Sequence, residues 1–227
     1  MGCLCVDKDG NPLRSHMLYC DQRSQEEEAK LTEKIDPLHF YEITGHRISA
    51  SYSVEKLMWV KKHEPEIFAQ TAKMLNAKDY INYRLCGTIA TDPSDASGTN
   101  AYDLNRWQWS EEIVEAAELD LSLFPEVRSS IDVIGEITNE AARETGLLAG
   151  TPVICGGGDG SCAGVGVGCV VRHCVQLSGV FFLGSTDGRK ADCRRTTPYH
   201  ELGTRSTRHA APVGNDAGGR IILQLDD

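Results

Sequence analysis

The chain has 227 residues, which is enough for one large domain or two small ones. Hydrophobic residues make up 41% and charged residues 25%, a balance typical of soluble globular proteins, and no apolar run is long enough to cross a bilayer. The formal net charge of -10 argues against nucleic acid or an anionic membrane as the main partner.

The N-terminus and the cysteines predict a cytoplasmic protein. No basic segment precedes the short apolar stretch at the N-terminus, so a signal peptide is not predicted. The nine cysteines are scattered, and those in apolar or small-residue surroundings, such as Cys155 and Cys162, are expected to be buried and reduced. Cys3 and Cys5 form a single C-x-C without a second pair at zinc spacing, and we expect no metal site.

Strands and helices are predicted in alternation along the chain. Strands are expected at residues 2–6, 13–19, 152–155 and 175–183, with an Asp-Gly-Asn turn at 7–11 and a glycine-rich loop at 156–160. Helices are expected at residues 24–35 with a Ser24/Glu27 capping box, 54–60, 64–75, from Ser110 onward, 138–145 closed by Gly146, and 161–170. The hydrophobic residues at 184–208 follow neither the helix period nor the strand period, so this segment is predicted to be disordered. The mixture favours an α/β or α+β domain.

Asp159 is the sharpest candidate for a catalytic group. It follows a predicted buried strand and is flanked by glycines, at the place where α/β proteins bind ligands. A carboxylate there can accept the proton of a hydroxyl that attacks a phosphoryl group. The residues alone also allow an ordinary Gly-Asp-Gly turn, and because short glycine motifs are weak evidence, they favour that simpler interpretation.

Two other groups of residues allow both a functional and a structural interpretation, and a third favours a structural one. Asp21 and Arg23 can bind sugar hydroxyls, or they can form a surface ion pair before a helix. The small polar residues at 91–99 can line a polyol pocket or form a loop with an Asx turn. Lys56 and Trp59, three residues apart, are typical of an amphipathic packing face with a lysine that reaches solvent.

Residues 51–63 match the first signature of the FGGY carbohydrate kinases at every defined position. Other segments resemble further motifs of that family, and they follow in the family's order. These are Asp21 and Arg23 in a W-x-D-x-R segment with Tyr19 in place of Trp, K-D-Y-I at 78–81, S-D-A-S-G-T at 94–99 and G-G-D at 157–159. Several motifs in the right order are more specific than any single one, and the chain resembles the xylulokinase subgroup in particular.

The resemblance implies an α/β protein with the actin-like, ribonuclease-H-like ATPase fold, of which residues 1–171 would form an incomplete first domain that binds the sugar. It implies a transferase that phosphorylates a small-molecule sugar such as D-xylulose, with ATP and Mg²⁺ as cofactors. By the resemblance, Asp159 would be the general base, whereas Asp21, Arg23, Ser51 and Gly158 would lie at the sugar.

The chain departs from the family pattern at both ends. The family's opening strand and D-x-G-T-type phosphate loop are absent, as is its second domain, which holds adenosine. No G-x-x-x-x-G-K-[ST] loop replaces them. Met1 and Gly2 resemble the end of the family's G-Q-M-x-G segment, so we interpret the chain as a truncated fragment. Because phosphoryl transfer depends on positioned phosphates and Mg²⁺, we expect poor binding of MgATP and no useful kinase activity.

Residues 172–227 form an aberrant tail in this interpretation. The family continues after Val171 with a segment like G-T-A-Y-N-Y-x-G-S-S-S-W, which this chain lacks. Possible codons for residues 172–186, read one base later, can encode that segment, and residues 211–215 resemble the family again. We therefore hypothesise that residues 172 to about 208 are translated out of frame. The apolar run at 180–183 would then be an aggregation hazard.

Three interpretations of function stay open at this point. The chain can be an inactive part of a sugar kinase, a non-catalytic sugar-binding or regulatory remnant, or an α/β domain without a ligand. Binding of a ketose without ATP distinguishes the second interpretation from the others. The sequence indicates neither the particular sugar nor the oligomeric state.

Overall fold

The computed structural model describes residues 2–166 and four later strands, β10 (Val175–Leu177), β11 (Val180–Phe182), β12 (Ala211–Asn215) and β13 (Ile221–Gln224). The chain divides into two compact units, Met1–Gly158 and Asp159–Asp227. No helix among the described residues has the length and apolar character needed to cross a membrane.

The first unit mixes short strands with helices. Its strands are β1 (Gly2–Val6), β2 (Met17–Leu18), β3 (Lys73–Leu75), β4 (Ala90–Thr91), β5 (Tyr102–Asp103), β6 (Gln108–Trp109), β7 (Glu126–Val127), β8 (Val133–Glu136) and β9 (Pro152–Ile154). Its α-helices are α1 (Gln25–Lys34), α2 (Pro37–Thr44), α3 (Ser53–His63), α4 (Pro65–Gln70), α5 (Ala77–Cys86), α6 (Pro93–Ser97), α7 (Glu111–Ala116) and α8 (Asn139–Thr145), and a 3-10 helix spans Leu121–Leu123.

Strand β1 is the centre of the first unit. It pairs antiparallel with β2 on one side and with β3 on the other, and all five of its residues are buried. Because side chains alternate along a strand, Cys3 and Cys5 belong to the large core built with α1, α2 and α3, whereas Leu4 and Val6 pack with Leu75 in a smaller cluster. The remaining strands pair in twos, β4 with β7 in parallel, and β5 with β6 and β8 with β9 antiparallel.

The predictions for β1 and the turn after it are confirmed. The Asp7 carboxylate accepts the backbone N–H groups of Asp9 and Asn11, both at 2.8 Å, and Gly10 has a φ of 77°. The second strand is shorter than the predicted 13–19 and spans only Met17–Leu18. Before it, residues 12–13 meet β1 only at an isolated bridge between Val6 and Pro12 and at a hydrogen bond from the Leu13 N–H to the Cys5 carbonyl at 2.9 Å, because Pro12 has no N–H to extend the ladder.

Two predictions about helices 24–35 and 64–75 are wrong in part. Helix α1 has the expected length, but the Ser24 side chain forms no capping hydrogen bond, and its hydroxyl packs toward Ala50 instead and donates to that residue's carbonyl oxygen at 3.1 Å. The second helix, α4, ends at Gln70, and residues 73–75 form β3 instead. The reason is tertiary: β3 completes the sheet at β1, where Met74 and Leu75 are buried.

The predicted starts of α7 and α8 are confirmed by their caps. The Ser110 hydroxyl accepts the backbone N–H of Ile113 at 3.3 Å, and the Thr138 hydroxyl accepts that of Ala141 at 3.1 Å. Helix α8 closes at Gly146, whose φ of 77° suits a glycine C-cap. Strand β9 forms at Pro152–Ile154 and leads into the glycine-rich loop, but the prediction of a buried strand is wrong, because β9 pairs only with β8 and packs one face, with Val153 buried and Pro152 and Ile154 exposed.

The second unit begins with helix α9 (Asp159–Gly166) and contains two antiparallel pairs, β10 with β11 and β12 with β13. The single strand predicted at 175–183 is therefore wrong, because the described residues form two strands of a hairpin. The rest of the helix predicted at 161–170, the disorder predicted at 184–208 and most of the segment hypothesised to be out of frame lie outside the described residues.

The cysteines are only partly as expected. Cys3, Cys5 and Cys155 are buried thiols, and burial raises the pKa of Cys155 to about 11. Cys162, which was also expected to be buried, is exposed on helix α9. Among the described residues of α9 only Gly160 is buried, so Cys162 lies on a helix that contributes no side chain to the hydrophobic clusters of the described residues.

Candidate active site

Asp21 and Arg23 form a close ion pair directly before α1. The Arg23 Nε lies 2.9 Å from both carboxylate oxygens of Asp21, and the terminal nitrogen lies 2.8 Å from Oδ2. These hydrogen bonds from Arg23 lower the pKa of Asp21, which keeps the carboxylate ionised. The ion pair predicted as the structural interpretation is therefore present, and the Asp21 side chain keeps 21% of its surface exposed.

The guanidinium of Arg23 is fixed by stacking as well as by Asp21. Its central carbon lies 5.0 Å from the ring centroid of Trp59 on α3, and the guanidinium of Arg14 lies 5.9 Å from the same ring. Cation–π contacts of this kind hold a charged side chain in one place without neutralising it. The segment at Asp21 is thus tied to the helix that carries the first kinase signature.

Ser51 lies beside that segment. The side-chain amide of Gln22 donates to the Ser51 hydroxyl at 2.7 Å. The structure therefore brings together three of the residues that the sequence analysis placed at the sugar, namely Asp21, Arg23 and Ser51. Gln22, which lies between Asp21 and Arg23, is thus the link to Ser51, and the Ser51 side chain is only partly buried.

The backbone next to Ser51 is held by several side chains at once. The N–H of Ala50 donates to the Glu28 carboxylate at 2.6 Å, and its carbonyl oxygen accepts from Lys56 Nζ at 2.5 Å. Lys56 is completely buried, so the expectation that it reaches solvent is wrong. Lys56 can be buried because the carbonyl oxygen of Ala50 accepts a hydrogen bond from its ammonium group in place of water. Burial lowers the pKa of Lys56.

Glu55 supports the same loop from inside α3. One oxygen of this fully buried carboxylate accepts the Ser49 backbone N–H at 3.1 Å and the Asn100 side-chain amide at 3.0 Å. Burial raises the pKa of Glu55 to about 7. The sequence analysis missed Glu55, although an acidic residue between Val54 and Leu57 on an apolar helix was a usable signal.

A second group of buried charges lies at the glycine-rich loop. Lys78 Nζ lies 2.9 Å from Asp79, 3.2 Å from Asp92 and 3.6 Å from Asp95. Burial opposes the charge of Lys78, but the three carboxylates prevail and raise its pKa. Burial in turn raises the pKa of Asp79 to about 6 and that of Asp95 above its ordinary value. We name Lys78, Asp79, Asp92 and Asp95 the Lys78 cluster.

The Lys78 cluster and its neighbours hold the loop that leads to Asp159. The carbonyl of Cys155 accepts from Lys78 Nζ at 3.2 Å and from the Asn82 amide at 2.8 Å. The backbone N–H of Gly158 donates to the Ser94 hydroxyl at 2.8 Å, and a Cβ added to Gly158 would lie 3.2 Å from an oxygen of Asp95. Gly158 is thus close-packed against residues of the 91–99 segment.

The 91–99 segment itself is a capped helix. Asp92 accepts the backbone N–H groups of Ser94 at 3.0 Å and Asp95 at 3.4 Å, and α6 follows. Of the two interpretations of this segment, the geometry shows the local turn formed by an aspartate. The side chain of Asp92 is completely buried.

Asp159 is the first residue of α9 and of the second unit. It is exposed, and its carboxylate accepts the backbone N–H of Gly160 at 2.8 Å. That contact is local, as in the turn interpretation. Asp159 was predicted as a general base by resemblance, and this role stays a prediction.

Known proteins resemble the chain over most of its length. The family model described as the FGGY family of carbohydrate kinases, N-terminal domain, matches residues 1–166. A xylulose kinase of Bacillus subtilis (strain 168) is 36% identical over 167 residues, which cover 74% of this chain and 33% of that protein. An autoinducer-2 kinase of Yersinia enterocolitica is 32% identical over 188 residues, which cover 82% of this chain and 34% of that protein.

Solved structures agree with this assignment. The xylulose kinase from Rhodospirillum rubrum has a TM-score of 0.71 at 30% identity, with 76% of this chain and 35% of that chain covered. The gluconate kinase from Lactobacillus acidophilus has a TM-score of 0.71 at 25% identity, with 76% and 35% covered. The predicted actin-like ATPase fold is thereby confirmed for the matched part.

The chain spans about a third of the length of these relatives. Kinases of this family take their phosphoryl group from ATP and act on small-molecule sugars. The match over residues 1–166 and the likeness to solved sugar kinases lead to one conclusion. The chain belongs to the FGGY family of carbohydrate kinases, and its matched part is the N-terminal domain of that family.

Proposed function

We propose that this chain binds a sugar such as D-xylulose at Asp21, Arg23 and Ser51, and that it does not phosphorylate the sugar by itself. The observation that carries the proposal is the Gln22–Ser51 hydrogen bond of 2.7 Å, which joins the two segments predicted to meet the sugar. A site whose groups are already held in place loses less conformational entropy when a ligand binds.

The chemistry of the three residues suits a polyol. The ionised Asp21 is a strong hydrogen-bond acceptor for sugar hydroxyl groups, which would share its two oxygens with the backbone N–H and the guanidinium of Arg23. The Arg23 side chain is 45% exposed, and its guanidinium can donate to sugar oxygens. The Ser51 hydroxyl can do both. Hydrogen bonds to charged groups contribute about 1.5–3 kcal/mol each.

The described residues do not fit a complete MgATP site. The buried carboxylates beside the glycine-rich loop are already paired with Lys78, and the N–H of Gly158 already donates to Ser94. When bound, MgATP supplies the phosphoryl group and the metal that neutralises its charge. By the family resemblance Asp159 would act as the general base in that reaction, but the function proposed for this chain alone includes no such step.

Calorimetric titration with D-xylulose in the absence of ATP tests sugar binding. Asp21→Asn is expected to weaken binding at least tenfold, which corresponds to about 1.4 kcal/mol. Glu126→Gln is a matched control, because Glu126 also pairs with an arginine two residues later, Arg128, at 2.9 Å. If the unmodified chain binds none of a panel of ketoses, the proposal is wrong. If Asp21→Asn binds normally, the sugar lies elsewhere.

A separate assay tests the lack of phosphorylation. The chain is incubated with sugar, ATP and Mg²⁺, and release of ADP is followed with a coupled assay. We expect no turnover above a control without sugar. Sustained sugar phosphorylation by the purified chain would contradict this part of the proposal and would favour a complete site for MgATP. Asp159→Asn would then be expected to abolish the turnover.

A further inference from the structure

A group of ionisable side chains outside the proposed sugar site has the composition of a cation site. We propose that Glu26, Glu27 and His63 bind a divalent transition-metal ion such as Zn²⁺. One potential ligand atom from each residue lies within 4.8 Å of the others. Two carboxylates with one imidazole are a ligand set that zinc accepts, with a fourth position for water. Because residues 26–27 and 63 are distant in sequence, no spacing motif predicted the site.

Glu27 supplies the first independent reason. Its side chain is only 4% exposed, and its Oε2 is buried without a hydrogen-bond partner. The nearest cationic group is Lys62, whose Nζ lies 3.9 Å from Oε1, beyond hydrogen-bond distance. A buried carboxylate oxygen without a partner is unfavourable, and a coordinated cation would satisfy it.

His63 supplies the second reason. Its Nδ1 lies 3.1 Å from the carbonyl oxygen of Trp59, and because a carbonyl only accepts, Nδ1 carries the proton of the neutral ring. The lone pair of Nε2 is then available to a metal. The ring also stacks on Trp59, with centroids 4.6 Å apart and planes at 17°. Metal-binding histidines are commonly oriented in this way, by a hydrogen bond from the other nitrogen to a carbonyl.

Lys62 competes for the same carboxylates. Its Nζ lies 2.6 Å from Glu26, and 57% of its side chain is exposed, so it can move into solvent when a metal ion arrives. The ammonium group therefore lowers the affinity for a cation without excluding it. A bound metal would join the first turn of α1 to the last turn of α3, the two helices next to the Asp21–Arg23 pair.

Titration of the full chain with Co²⁺, followed by displacement with Zn²⁺, tests the proposal. Thiolate ligands give an intense near-ultraviolet charge-transfer band with Co²⁺, whereas carboxylate and imidazole ligands do not. The spectrum therefore distinguishes binding at Glu26, Glu27 and His63 from binding by cysteines. We expect one Co²⁺ bound without that band. Glu27→Gln and His63→Gln should each weaken its binding at least tenfold, and Lys62→Gln should strengthen it several-fold.

Glu66→Gln is the control, because it removes an exposed carboxylate from the neighbouring helix α4. If Glu27→Gln perturbs folding, the exposed His63 and Lys62 variants decide the matter. Absence of Co²⁺ binding, binding only with the thiolate band, or equal affinity in the wild type and His63→Gln would overturn the proposal. Sugar titrations of the same variants keep this result separate from the proposed function.

Discussion

Replacing Lys78 by methionine removes the only cation that lies within 4 Å of the three aspartates of the Lys78 cluster among the described residues. The Asp79 and Asp92 side chains are 1% and 0% exposed, and Lys78 is 20% exposed. Breaking a buried ion pair by removing one partner costs about 3–5 kcal/mol, because the remaining charge stays buried. The Cys155 carbonyl also loses its bond from Lys78. We expect Lys78→Met to lower the free energy of unfolding by about 3 kcal/mol at pH 8.

The loss should depend on pH in a defined direction. Burial raises the pKa of Asp79 to about 6 in the folded chain, so the folded state binds its proton more tightly than the unfolded state. That contribution is present at low pH and is lost as the pH rises through 6, and it amounts to about 3 kcal/mol in full. Without Lys78, the aspartates become neutral by protonation as the pH falls, which removes the buried negative charge. The destabilisation by Lys78→Met should therefore shrink between pH 8 and pH 5.

Urea denaturation followed by tryptophan fluorescence measures this effect in the first unit, where Trp59, Trp107 and Trp109 all lie. The matched control is Lys30→Met, which removes an exposed lysine paired with Glu118 at 3.1 Å. Exposed pairs contribute about 0–1 kcal/mol, so this control should change little. A Lys78→Met loss equal to that of Lys30→Met, or one that stays constant from pH 8 to pH 5, would refute the electrostatic reasoning.

Three further predictions concern two substitutions and the sequence of the gene. Burial raises the pKa of Glu55 to about 7, so the wild type loses stability as the pH rises through 7. In Glu55→Gln the free energy of unfolding, measured by urea denaturation, should therefore change less between pH 5 and pH 8. A pH dependence equal to that of the wild type would contradict this prediction. Gln22→Ala should lower the affinity for a ketose several-fold in calorimetry, because it removes the hydrogen bond to Ser51, while the free energy of unfolding changes by no more than about 0.5 kcal/mol. An unchanged affinity would show that this hydrogen bond does not contribute to binding. Sequencing of the gene should show that codons for residues 172–208, read one base later, encode the family-like segment; any other encoded sequence ends that hypothesis.

Elements whose contacts are local were predictable from the sequence. The Asp7 turn and the serine and threonine caps of α7 and α8 use partners within four residues, so nearby side chains suffice to specify them. The errors have long-range causes. The Ser24 hydroxyl bonds Ala50 instead of its own helix, and residues 73–75 become a strand because β1 offers them an open edge. Neither partner can be read from the local pattern.

At the candidate site, the burial of Lys56 and Glu55 was likewise not predictable from the local sequence. A lysine or glutamate in an amphipathic helix is expected to reach solvent, since burying a charge is unfavourable without a partner. Lys56 and Glu55 are nevertheless buried, because the Ser49–Ala50 backbone supplies an acceptor to one and a donor to the other. Sequence resemblance placed Ser51 at the sugar, but it could not show that these buried groups fix the loop that presents it.

The Lys78 cluster explains why separate motifs occur together in one chain. Lys78 belongs to the K-D-Y-I segment, Ser94 and Asp95 to S-D-A-S-G-T, and Gly158 to G-G-D. In the sequence they resemble three separate motifs of the family. In the structure Lys78 pairs with Asp95 and bonds the carbonyl of Cys155, while Ser94 accepts the N–H of Gly158. Within the first unit these motifs therefore act as one structural group, which fixes the backbone up to the residue before Asp159.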